Sequence, residues 1–352
     1  MRSGTRTLIL AAATIAALLT AAVPAHAAFP GKNGRIAFIF GPDVYTMNPD
    51  GSDVRQLTNL GPDNSASWES WSPDGKLIVF SEFPPPDFNG QLWVMNANGS
   101  NQRLLLAEPG ITEVRASFSP DGKTVVFSRG RNFNPDNGNP FVVEMYRIGV
   151  DGTGLAAITR HSTLGVHDYG PKYSPDGTTI VFQGDDRGGI LGAAWLIDAD
   201  GANVRQVTPS PLSGRRPDWS PDGKKIAFQT HCCNPQNETI AVIKSDGSGM
   251  RELTHNGNDY DAGPHDFNPS WSPEGDAIVF ERHAPDFSSS AIFVMKADGH
   301  GLAQKMLLPA SKFSAAQSSR AKRDVTENRN KRRHLDQIEE GGTLPRWGPA
   351  AN

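Results

Sequence analysis

Short continuous apolar runs, not helical spacing, dominate the chain: Ile36-Ala37-Phe38, Ile78-Val79-Phe80, Val125-Val126-Phe127, Ile180-Val181-Phe182, Ile226-Ala227-Phe228 and Ile278-Val279-Phe280. Runs this short, rich in β-branched and aromatic residues and bounded by Gly, Pro and Asp, predict strands buried on both faces. Five of the six follow one phrase: Trp71-Ser-Pro-Asp-Gly75, Phe118-Ser-Pro-Asp-Gly122, Tyr173-Ser-Pro-Asp-Gly177, Trp219-Ser-Pro-Asp-Gly223 and Trp271-Ser-Pro-Glu-Gly275. Pro presets φ, Asp bonds nearby backbone and Gly accepts a left-handed conformation, so the phrase predicts a tight turn between an aromatic-ended strand and the apolar strand. In the second unit Leu92-Trp93-Val94-Met95 then turns at Asn98-Gly99 into Arg103-Leu104-Leu105, a hairpin signal. Asp50-Gly51, Asp151-Gly152, Asp200-Gly201, Asp246-Gly247 and Asp298-Gly299 mark the same turn elsewhere, and Leu57-Thr58, Ile158-Thr159, Val207-Thr208 and Leu253-Thr254 end the fourth strands. One unit is therefore a four-stranded antiparallel sheet.

The aromatic of the phrase recurs every roughly 45 to 55 residues, a period that marks a stacked or radial array. Gly34 to Thr58 holds the second, third and fourth strands of a unit, and Pro345-Arg346-Trp347-Gly348-Pro349 reads as a first strand alone. The expected fold class is all-β, a six-bladed β-propeller with four-stranded antiparallel blades, its ring closed by the C-terminal strand beside Ile36-Ala37-Phe38. A β-sandwich or open array fits complementary ends less well.

Residues 1–27 read as a signal peptide: Arg2 and Arg6 precede an apolar run from Leu8 to Val23, followed by Ala25-His26-Ala27. The run is short for a membrane span, which needs about 20 residues, so no transmembrane segment is expected after cleavage. Residues 28–352 are expected to form one monomeric propeller domain. The protein is then exported, to the periplasm or to the cell surface and extracellular space. With 34 Lys and Arg against 38 Asp and Glu, the net charge is −4, and loss of Arg2 and Arg6 makes it more acidic. Such a balance does not suggest nucleic acid or an anionic membrane as partner. Cys232 and Cys233 are adjacent, so no disulfide framework is available and packing must supply stability.

The repeated parts, from aromatic-Ser-Pro-Asp-Gly through the apolar strand and the Asp-Gly turn to Arg-Gln-Leu-Thr, resemble the TolB-like, or WD-repeat-like, propeller repeat. The likeness runs from Phe29 to about Leu307 and again from Leu344 to Pro349. It implies the propeller fold of TolB, a periplasmic protein that binds envelope proteins, here without the α/β domain that precedes the propeller in TolB. Related propellers also accompany α/β-hydrolase domains, but a Gly-x-Ser-x-Gly elbow is missing here.

In such a fold the tight turns share one face, and the loops of varying length share the other, where binding residues are expected. His167-Asp168 and His265-Asp266 occupy matching positions before two innermost strands. With Glu113, Arg115, Arg215 and Arg216 they are candidates to line the channel mouth and bind a polar ligand or coordinate a metal. The competing reading is that these His and Asp side chains bridge neighbouring strands. No cofactor is implied: no phosphate loop and no HExxH stands in the sequence. The basic insertion at 309–342 is expected to be a mobile loop, or an arm docking on an acidic envelope polymer or protein. Pro84-Pro85-Pro86 stiffens a loop. The leading functional expectation is a binding or scaffold module for an envelope or extracellular protein. A channel-site lyase or hydrolase acting on a polysaccharide or peptide is the alternative, and a component of a TolB-type envelope complex the second alternative.

Overall fold

The structure is a computed structural model describing residues 29–61, 63–131, 142–161, 166–185, 192–230, 238–256, 263–298, 305–309 and 345–351. Residues 1–28, which include the expected signal peptide, Cys232, Cys233 and the expected basic insertion beyond Pro309 lie outside the described residues. Among the described residues no helix is long and apolar enough to cross a membrane.

Twenty-four strands follow one another among the described residues. The first unit holds β1 (Asn33–Phe40), β2 (Asp43–Met47) and β3 (Arg55–Gln56). The second holds β4 (Ala66–Trp71), β5 (Leu77–Glu82), β6 (Gln91–Asn96) and β7 (Arg103–Leu106). β8 (Ile111–Phe118), β9 (Thr124–Arg131), β10 (Val143–Gly149) and β11 (Ala156–Ala157) come next, then β12 (His167–Tyr173), β13 (Thr179–Asp185), β14 (Ala193–Asp198) and β15 (Arg205–Gln206). β16 (Arg215–Trp219), β17 (Lys225–Thr230), β18 (Thr239–Lys244) and β19 (Arg251–Glu252) precede β20 (His265–Trp271), β21 (Ala277–His283), β22 (Ser290–Lys296) and β23 (Lys305–Pro309). β24 (Arg346–Pro349) is the last.

Each unit is an antiparallel meander in chain order. β24 pairs with β1, Trp347 opposite Ile36 and Arg346 opposite Ala37, giving the order β24-β1-β2-β3. Among the described residues the hydrogen-bonded sheets number five rather than six, a departure from the sequence expectation. The cause is one parallel pairing, Val143 with His167, which joins β8–β11 to β12–β15 as a single eight-stranded sheet.

The core lies between consecutive sheets. All six apolar runs at the second-strand positions are buried to within 1% exposure, because each is packed on both faces. Ile36 and Phe38 meet Val279 and Ile292 of β21 and β22, and Val181 and Leu196 meet Ile226 and Phe228 of the following sheet. Burying each of these Phe side chains stabilises the fold by about 1.5–3 kcal/mol.

The phrase is turn chemistry, as its composition suggests. Ser72 Oγ donates to Asp74 Oδ1 (2.7 Å) and accepts from the Leu77 amide (2.8 Å), while Asp74 Oδ1 also accepts from the Lys76 amide (3.1 Å). The pattern recurs at Ser119, Ser174 and Ser220. Where Glu274 replaces Asp, Ser272 Oγ turns instead to Asp276 (2.8 Å). The fourth strands pair over only two residues in several units because Thr Oγ takes over: Thr58, Thr159, Thr208 and Thr254 accept from the third-strand amides of Val44, Met145, Ala194 and Ile240 at 2.9–3.0 Å.

Candidate functional site

Every one of β4, β8, β12, β16 and β20 carries a register shift against its neighbour at the same place. Three residues before the phrase aromatic the backbone is left-handed: Trp68, Arg115, Gly170, Arg216 and Asn268 have φ between 53° and 58°. A bulge re-aims the side chains that follow it. Holding a non-glycine residue there costs about 1–3 kcal/mol, and such strain concentrates where function needs a fixed geometry.

The residue immediately before each aromatic then faces a common space. Ser70, Ser117, Lys172, Asp218, Ser270 and Arg346, one from each innermost strand, line a cavity of about 50 Å³ bordered by the phrase aromatics, Trp347, Phe29 and Pro273. An adjoining space of about 30 Å³ shares Ser70, Ser117, Lys172 and Arg346 and adds Trp68, Glu69, Arg115 and Arg216. The cavity therefore sits toward the tight-turn ends of the strands, whereas the sequence directs attention to the opposite mouth.

Its polar groups link consecutive sheets. Lys172 Nζ donates to Asp218 Oδ1 (2.7 Å), and Asp218 Oδ2 accepts from the Trp271 amide (2.8 Å). Ser270 Oγ accepts from the Trp347 amide (3.4 Å). The Arg115 guanidinium lies between the Trp68 and Tyr169 rings, 5.1 and 5.0 Å from their centroids, a cation–π clamp that fixes its orientation. Burial, then Arg346, push the Lys172 ammonium down to about 8 against the pull of Asp218. Burial brings Arg115 to about 10. Burial, with Arg115, Arg346 and Arg215, holds Arg216 well below its ordinary value. Burial lifts Glu69 to about 8, opposed by Arg346.

The eight sequence candidates separate into two groups. Arg115 and Arg216 line the adjoining space; Arg215 reaches Glu238 at 3.7 Å and, with Arg115 and His167, acts electrostatically on the buried Asp185. The three carboxylates, each five residues before a phrase aromatic, bond within the scaffold. Glu113 meets Arg129 Nε (3.2 Å), and burial pushes it up to about 7 against that arginine. Asp168 Oδ2 lies 2.7 Å from His161 Nε2. Asp266 is gripped by Arg282 Nε and Nη2 (2.6 and 2.7 Å) and by Asn256 Nδ2 (2.8 Å). His167 and His265 are not before their strands but open them, paired across the sheet with Asp185 and His283. His265 stacks on Phe287 at 4.7 Å, and its Nδ1 accepts from the Glu238 amide (3.3 Å). Among the described residues no three His, Cys, Asp or Glu side chains gather in a metal-holding arrangement.

Sequence reasoning missed Glu69, Lys172, Asp218 and Arg346. The signal was available, since Lys172 and Asp218 stand directly before a phrase aromatic and break its Ser pattern, and Arg346 holds the matching position before Trp347.

Radially repeated four-stranded meanders, with polar side chains of their innermost strands around a central cavity, define an all-β propeller. Residues 135–320, more than half of the chain, match the profile of the TolB beta propeller domain, and the chain belongs to that family. A Tol-Pal system protein TolB of Anaeromyxobacter dehalogenans is 30% identical over 184 residues, 50% of this chain and 37% of that protein. The chain thus spans little more than a third of the length of this curated relative. Among solved structures, TolB from Acinetobacter baumannii superposes with a TM-score of 0.64 at 22% identity, covering 90% of this chain and 67% of the other. A putative TolB from Agrobacterium tumefaciens gives 0.57 at 20% identity, covering 79% and 89%. These two show the shared fold.

Proposed function

We propose that this chain is an exported, six-bladed, ring-closed propeller that serves as a protein-interaction module of the cell envelope. For six blades, the eight-stranded sheet divides at its single parallel pairing into two meanders of the same order as the other units. For closure, β24 completes the sheet of β1 and lies against both β4 and β20, while β4, β8, β12, β16 and β20 contact one another in sequence. Export rests on the leader-like residues 1–27.

The observation that carries the binding role is membership of the TolB propeller family, whose matched relatives are described as Tol-Pal system proteins. The uneven distribution of the loops points the same way. Tight Ser-Pro-Asp-Gly turns crowd one end, and the loops of varying length, such as that carrying the exposed Phe88, are at the other. Binding residues favour loops on a rigid scaffold.

Site-specific photo-crosslinking in intact host cells tests this. A photoreactive residue at Phe88 or Ser288 should yield a discrete protein adduct, and one at Ser100, on a tight turn, should not. Adducts absent from both loop positions, or equally abundant at Ser100, would refute the reading.

A further inference from the structure

The cavity between the innermost strands has a charge balance that protein binding at the loop face does not explain. Arg115, Lys172, Arg216 and Arg346 line the part of it beside Trp68 and Glu69, from β8, β12, β16 and β24. This happens in a chain whose overall charge is negative. The carboxylates near them are largely committed. Asp218 is engaged by Lys172 and by the Trp271 amide. Glu281 is held by Asn268 Nδ2 (3.2 Å) and His283 Nε2 (2.7 Å). Glu69 is buried at 1% exposure, and neither of its oxygens has a hydrogen-bond partner among the described residues.

Arg115 is the clearest indication of a ligand. It is 8% exposed, its Nε is buried without a hydrogen-bond partner among the described residues, and its plane is fixed by the rings of Trp68 and Tyr169. A buried guanidinium lacking acceptors costs free energy that an oxyanion would recover. Its planar fork suits carboxylate or phosphate oxygens. The fixed orientation also removes part of the entropy cost of binding.

We propose that this cavity binds a compact oxyanion, an inorganic phosphate or a small dicarboxylate, between Arg115, Lys172, Arg216 and Arg346. Because Arg346 belongs to the last strand, the bound anion joins β24 to three other innermost strands and stabilises the completed β24-β1 sheet. The site is independent of the protein-binding reading, and failure of either leaves the other standing.

Calorimetric titration of the full chain with phosphate and, separately, with malonate is the test, with chloride at equal ionic strength as control. At least one anion should bind saturably and raise Tm. Arg115→Gln and Arg346→Gln should each weaken binding by at least about tenfold, the loss expected when a charge-assisted hydrogen bond disappears. Arg251→Gln, an exposed change on β19, should leave binding unchanged. The phosphate and malonate arms separate a phosphate site from a carboxylate site. Should the cavity variants not fold, hydrogen exchange on the unaltered protein decides: the anion must slow exchange at Ile36 to Phe38 and at Trp347. No saturable binding of either anion, undiminished binding in both cavity variants, or unchanged exchange in that strand pair would overturn the proposal.

Discussion

Replacing Gly34 by Ala isolates the contribution of the C-terminal strand with one methyl group. Gly34 sits on β1 inside the register irregularity between Asn33 and Ile36, where β24 crosses it. A Cβ there would overlap the Pro349 carbonyl group and stand 2.6 Å from the Ala350 nitrogen. All three of the nearest atoms are backbone, so no rotamer change relieves the overlap and β24 must shift away. The shift strains the Ala350 amide bond to the Lys32 carbonyl (2.9 Å) and the Trp347 indole bond to the Gly34 carbonyl (3.2 Å). Overpacking costs about 1–3 kcal/mol, and two weakened hydrogen bonds add up to about 1 kcal/mol each. The expected loss is about 2–4 kcal/mol in urea unfolding. Gly61→Ala is the reference, because Gly61 is exposed with no atom within 4 Å of an added Cβ; there, reduced unfolded-state entropy predicts no loss or a gain of about 0.4–1 kcal/mol. Hydrogen exchange should quicken at Trp347 and Ala350 while β21 and β22 keep their protection. If the two variants agree within about 0.5 kcal/mol, or exchange at β24 does not change, the pairing of the last strand with the first is not what holds this sheet.

Two further predictions concern buried carboxyl groups. Glu69 has its folded pKa raised from 4.5 to about 8 by burial, so its contribution to stability is full below the unfolded value and is lost as pH rises through about 8. Glu69→Gln should therefore match the parent near pH 4 and exceed it at pH 9; parallel stability profiles would contradict this. Arg282→Met removes both guanidinium bonds from Asp266, which is 0% exposed, and should cost about 3–5 kcal/mol by leaving a buried charge poorly compensated. Adding Asp266→Asn should recover a good part of that in chemical denaturation, and a loss below about 1 kcal/mol in the single variant would discount the ion pair.

The strand plan was legible because it is written locally and repeatedly. A run such as Ile226-Ala227-Phe228 carries its own β signal, and Ser220-Pro-Asp-Gly223 carries its own turn, so neither depends on distant context. The pairing of Trp347 with Ile36 was legible from a different kind of information, the complementary fragments at Gly34–Thr58 and Pro345–Pro349. The joining of two meanders through Val143 and His167 was not, since a single parallel bridge between strand ends leaves no compositional trace. For the candidate site, residue type alone left two readings open, ligand binding and bridging between strands. Asp168 and Asp266 look like ligands, but their partners, His161 and Arg282, become neighbours only once the strands are placed. Arg115 and Arg216 take their depth from a left-handed backbone position that only glycine, at Gly170, makes visible in the sequence.

The repeated bulge explains how one scaffold can present an asymmetric cavity. Because the register shift falls at the same position in five innermost strands, the residue directly before each phrase aromatic is delivered to the centre whatever its chemistry. Ser70, Ser117 and Ser270 leave that position small and neutral, whereas Lys172, Asp218 and Arg346 charge it. The turn and core residues of the units are nearly interchangeable, so substitution at the central position changes the cavity without touching the packing between Phe182, Phe228 and their neighbours. Lys172 and Asp218 use this freedom to bond across two adjacent units, and Asp218 continues to the Trp271 amide of a third. A polar chain of this kind gains strength from the low dielectric around it only if each member is satisfied. That condition is met at Asp218 and unmet at Arg115, which is why chemistry in this propeller is to be sought at the second residue rather than the first.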